Sequence, residues 1–161
     1  MSEAPSALTD PAESLAVEVA GYLSLLELLR AEQEALCVAD ADALGQIAQA
    51  KLAQVYALQA LGAERTHTLR DAGLDADAAG MRALLARCAQ SEGAREQWDT
   101  LVSLAADAQR QNALNARLAS TQQRHVDRAI AALWNAAGCE STYGADGRSR
   151  HHASPRTLVA I

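Results

Sequence analysis

Three amides, Asn112, Asn115 and Gln122, stand inside the stretch "RQNALNARLASTQQR" (residues 110–124), at positions where a helix seam would carry leucine. The seam repeats every seven residues as Trp98, Ala105, Asn112, Ala119, Val126 and Leu133. A carboxamide offers a donor and an acceptor without a charge, so the chemistry it brings is recognition. Two uses fit. A buried amide layer fixes register between coiled helices. In the other use, the neighbouring helices stop short and the stretch lines a groove for a partner's amphipathic helix. Periodicity alone leans towards the first.

Other chemistry is sparse. A di-iron site in a helix bundle needs Glu-x-x-His twice with two further glutamates, and only Glu64-Arg65-Thr66-His67 has that spacing. His151-His152 lacks the cysteines or carboxylates that would complete four ligands. Neither a Gly-rich phosphate loop nor a G-x-S-x-G elbow occurs. The reading is of a non-enzyme with no metal, no cofactor and no small-molecule substrate.

The elements that must position the amides are helical. Half of the 161 residues are apolar, phenylalanine is absent, and alanine, the best helix former, supplies much of the apolar fraction. A formal net charge of −6 argues against nucleic acid as ligand, since phosphate contacts need a basic surface. The charge is uneven: residues 1–50 hold nine acids against Arg30 alone. Arg110, Arg117 and Arg124, seven apart, share one helix face, read here as solvated. Cys37, Cys88 and Cys139 are widely spaced and odd in number, as in a reducing compartment. The first residues lack a signal-peptide pattern and no run is long and apolar enough to span a bilayer, so the expected location is the cytoplasm.

Residues 1–9 are expected to be disordered. "TDPAE" then opens a helix with Asp10 as cap and Pro11 at the first helical position. Its seam is Leu15, Val19, Tyr22, Leu26, Leu29, Gln33 and Leu36. Asp40 or Asp42 caps a second helix through Leu44, Ile47, Leu52, Val55, Leu58 and Leu61 to about Leu69. Gly73 stops it, and Asp75 or Asp77 caps a short segment with Met81, Leu84, Leu85 and Cys88. Ser91 caps the longest helix, about 92–137, which at 1.5 Å per residue is roughly 70 Å long. The fold class is all-α: an elongated antiparallel helical bundle over residues 10–137, with one very long C-terminal helix. Residues 138–161 form a mobile tail, with Gly138 ending the helix and no periodic face before the terminal "TLVAI".

In the first two helices, Leu36, Asp42, Leu44, Ile47, Lys51, Leu58 and Arg65 follow an order that resembles flagellar type III export chaperones of the FlgN family. Later come Trp98 opening the long helix, the Asn-x-x-Asn-x-x-Leu core at Asn112, Asn115 and Leu118, and "TYGADG" at residues 142–147. The family usually has glycine after the second asparagine, where this chain has Ala116. The resemblance spans about residues 15–161.

It implies a cytoplasmic chaperone for hook-associated proteins, those of the hook–filament junction. Such a chaperone holds their C-terminal amphipathic helices, prevents early assembly and delivers them to the export gate. Leu118, Val126, Ile130 and Leu133 would then give apolar contact to the client, with Asn112, Asn115 and Gln122 fixing its orientation. Tyr143, Gly144, Asp146 and Gly147 would be read by the flagellar export gate and its associated export ATPase. The membrane enters only through the export apparatus, and a homodimer stays open. A coiled-coil adaptor, or a chaperone for another export substrate such as the filament cap, is the alternative.

Overall fold

Two left-handed turns and two aspartate caps cut the chain into helices. The computed structural model of the chain describes residues 11–88, 92–136, 139–143 and 149–153, with Pro11 and the last two segments described by backbone alone. The elements are α1 (Pro11–Val38), α2 (Ala41–Asp71), α3 (Ala78–Arg87), α4 (Glu92–Ala136), β1 (Cys139–Tyr143) and β2 (Ser149–Ala153). The all-α class and the very long fourth helix expected from sequence are what the chain adopts. Asp10, Ser91, Gly138 and residues 1–9 lie outside the described residues.

Each boundary has a local cause. Ala39 takes φ 56°, Asp40 N–H donates to Ala35 O at 3.0 Å and Ala39 N–H to Leu36 O at 3.2 Å. That pair of bonds is a Schellman stop, here built on alanine rather than glycine. Asp40 then starts α2, its Oδ1 accepting from Ala43 N at 3.0 Å. The same motif closes α2 on Gly73 (φ 69°), with Leu74 N–H to Leu69 O and Gly73 N–H to Arg70 O, both 2.9 Å. Asp77 caps α3 through Gly80 N at 2.7 Å. Gly80 must be glycine, since a Cβ there would lie 1.9 Å from Asp75 O.

The chain divides into two units, residues 1–116 and 117–161. In the first, α1 and α2 pack antiparallel in a register made of heptad steps. Glu18 pairs with Arg65, Leu25 shares a core cluster with Leu58, and Glu32 pairs with Lys51. Leu15, Leu69, Met81, Leu85, Ala94, Trp98 and Leu101 form a second cluster that joins all four helices. Leu15, Leu29 and Leu85 are fully buried, each contributing roughly 1.5–3 kcal/mol.

α4 begins beside Leu15 and reaches Ala108 beside Leu25 and Leu29. It therefore runs antiparallel to α2 and parallel to α1, with the short α3 packed where α2 ends. Leu52, expected in the α2 seam, is instead 54% exposed. The seam position is Lys51, which an apolar pattern passes over and which the Glu32 carboxylate draws inward.

The second unit holds the remainder of α4 and a two-stranded antiparallel ribbon, pairing Cys139 with Ala153 and Tyr143 with Ser149 at its ends. This ribbon is the regular structure that the sequence reading did not expect after Gly138.

Candidate functional site

The amides expected to act together are separated by the structure. Asn115 is buried, at 3% exposure. Its Nδ2 donates to Leu29 O at 2.7 Å and to Glu32 Oε2 at 2.8 Å. Its Oδ1 accepts from Gln111 Nε2 at 3.3 Å, and Gln111 Nε2 also reaches Gln33 Oε1 at 2.6 Å. With the Glu32–Lys51 pair, this is a polar layer linking α1, α2 and α4. A buried carboxamide so satisfied fixes register, because a shifted helix would strand its amide away from the Leu29 carbonyl and the Glu32 carboxylate.

Asn112 has no place in that layer; its side chain is exposed. The buried series of α4 runs Leu101, Ala108, Asn115 rather than Ala105, Asn112, Ala119, with Leu104 and Gln111 half-buried beside it. The expectation that both asparagines face a client is corrected for Asn115, whose amide is committed to α1.

From Arg117 to Ala136 no side chain of α4 is buried; Leu118 and Gln122 are half-buried. Val126 is 52% exposed, Ile130 46% and Leu133 70%. At 100° per residue, Leu118, Gln122, Val126, Ile130 and Leu133 fall within one third of the helix circumference, and Arg117, Arg124 and Arg128 on the opposite side. The helix is held here by its own surface pairs. Gln123 Nε2 donates to Asp127 Oδ1 at 2.9 Å, and Arg124 donates to Ser120 Oγ at 3.2 Å and Thr121 Oγ1 at 3.0 Å. Such pairs each contribute only about 0.2–0.5 kcal/mol. An amphipathic helix with an open apolar face can bind another such helix.

Of the residues assigned to the export gate, Tyr143 ends β1 and is described by backbone alone, while Gly144, Asp146 and Gly147 lie outside the described residues. No group of three or more metal-ligating side chains occurs among the described residues, and no described helix is long and apolar enough to cross a membrane.

Sequence reasoning missed the polar partners on α1 and α2. Arg65, noted only for its place in the motif, holds the buried Glu18 and lies over the Trp98 ring, 5.5 Å from its centroid. The signal was present: Glu18, Leu25 and Glu32 on one helix, and Lys51, Leu58 and Arg65 on the next, are each seven apart with opposite charges at their ends.

Comparison with known proteins gives this architecture its relatives. A family model described as "FlgN protein" matches residues 1–151. A crystal structure from Pseudomonas aeruginosa, of a protein designated a flagella synthesis protein FlgN, superposes with a TM-score of 0.63 at 27% sequence identity, covering 74% of this chain and 90% of that one. No curated protein matches. With its capped helical hairpin, its polar layer on Asn115 and its long fourth helix, the chain belongs to the FlgN family of flagellar synthesis proteins, a family of chaperone type.

Proposed function

We propose that the chain is a cytoplasmic export chaperone that binds the C-terminal amphipathic helix of hook-associated proteins of the hook–filament junction. It keeps them from assembling early and delivers them to the flagellar type III export gate and its ATPase. The observation that carries this reading is the exposed apolar face of α4, Val126, Ile130 and Leu133, on a stretch with no buried side chain of its own. Monomeric proteins rarely leave a contiguous apolar patch bare without a use for it.

Leu118, Val126, Ile130 and Leu133 supply apolar contact, and Gln122, half-buried in the same face, supplies the amide that orients the client. Asn112, exposed, adds a polar contact. Asn115 acts indirectly, by fixing α4 against α1. Tyr143 and the following Gly144, Asp146 and Gly147 are the gate-recognition segment in this scheme, separate from the client surface.

The test uses a synthetic peptide copying the C-terminal helix of a junction protein. Amide exchange of the full chain should slow across residues 118–133 when the peptide is added. Leu133→Glu should weaken peptide binding at least tenfold while the melting temperature stays within a degree or two. Peptide binding that survives Leu133→Glu and Val126→Glu together would reject the assignment. Tyr143→Ala should spare peptide binding and weaken the interaction with the gate; equal loss of both would reject the division of labour.

A further inference from the structure

α1 and α2 enclose a cleft of about 210 Å³, walled by Tyr22, Leu25, Val55 and Leu58 and bordered by Glu18 and Arg65. Glu18 is 2% exposed, and one of its oxygens takes the Arg65 guanidinium. The other, Oε1, is buried and has no hydrogen-bond partner. A carboxylate oxygen only accepts, and an unfilled acceptor at such a position calls for a donor.

The rim of the cleft repeats the message. Gly62 stands in the interior of α2, where glycine disfavours the helix relative to alanine. Packing within the chain does not require it, since a Cβ there would meet only the far end of Arg65, at 3.8 Å. A bare backbone does, however, keep the mouth of the cleft wide. Charge adds direction: residues 11–71 hold nine acids against Arg30, Lys51, Arg65 and Arg70.

We propose that this cleft receives the side chain of a lysine presented by a partner protein. Its methylenes lie along Tyr22, Leu25, Val55 and Leu58, and its ammonium donates to Glu18 Oε1. A long apolar stem with a charged tip matches a cleft with apolar walls and a carboxylate at its border. A charged donor is preferred over an amide because the acceptor is ionised and the surrounding charge is negative. Lysine is preferred over arginine because a compact ammonium needs one acceptor, whereas the planar fork of arginine wants both carboxylate oxygens and one is already taken by Arg65. Gln59, exposed at the rim, is long enough to swing aside and admit the tip while the Glu18–Arg65 pair is kept. The site lies on α1 and α2, so its failure leaves the α4 client surface untouched.

The test titrates the full chain with n-butylammonium chloride at constant ionic strength, following the indole N–H resonance of Trp98, against which Arg65 stacks; Trp134→Phe assigns the signal. A saturable shift is expected, with an affinity about tenfold or more above that of n-butanol. Glu18→Gln should reduce the affinity for the ammonium by about tenfold and leave n-butanol unchanged. Gly62→Leu should block both probes; it leaves the Glu18 carboxylate itself unchanged, and so decides the matter if Glu18→Gln does not fold. A shift that fails to saturate, equal affinity for the two probes, or unchanged n-butylammonium binding in Gly62→Leu would each overturn the proposal.

Discussion

The two stretches of α4 make a controlled comparison. Residues 94–115 bury Ala94, Trp98, Leu101, Ala108 and Asn115; residues 117–136 bury nothing, although Val126, Ile130 and Leu133 are larger than the alanines buried earlier. Side-chain size therefore does not decide burial along this helix. The supply of partners does: Leu15, Leu25, Leu29, Leu58, Leu69 and Leu85 face the first stretch, and none of those clusters includes a residue beyond Ala108. An amphipathic pattern records what a helix can bind, and the rest of the chain decides how much of that is satisfied internally.

The largest expected contrast is between leucines. Leu101→Ala should cost about 3 kcal/mol in urea denaturation, as a cavity in a packed cluster does. Leu133→Ala should stay within about 0.5 kcal/mol, as for a surface change. Equal losses would erase the distinction between the stretches. The amides come next. Asn115→Ala should cost about 2 kcal/mol, because the Leu29 carbonyl and the Glu32 carboxylate lose a buried donor, while Asn112→Ala should be close to neutral. The smallest contrast is between polar side-chain pairs. A double-mutant cycle on Glu32 and Lys51, both more than three-quarters buried, should return about 1 kcal/mol of coupling. The exposed Gln123–Asp127 pair should return only a few tenths.

What could be read in the sequence follows the range of the interaction responsible. Caps are local, so Asp40, Asp77 and the stop at Gly73 were visible from a few neighbouring residues, although choosing Asp40 over Asp42 and Asp77 over Asp75 needed the coordinates. The length of α4 followed from its alanines and the absence of glycine and proline between Ala94 and Ala136. Choosing between Asn112 and Asn115 is a non-local matter. The two lie three residues apart on the same helix, and only the position of Leu29 and Glu32 on α1 decides which one is enclosed. Leu52 was misplaced for a related reason, since a pattern built on apolar residues gave no seam position to Lys51 or Arg65. Within the surface proposed for the client, the apolar face at Leu118, Val126, Ile130 and Leu133 was legible because a single helix determines it. The ribbon was not, because residues 139–153 alternate weakly and carry few strand-forming side chains.

The alternation of acid, leucine and acid on α1 against base, leucine and base on α2 does more than tie two helices together. If α2 slid by one heptad, a leucine would meet a guanidinium or an ammonium, and at one end a carboxylate would be sealed off with no cation in reach. Misaligned hairpins are thus penalised at several rungs at once, and a core poor in bulky side chains still has a single alignment in which it can come to rest.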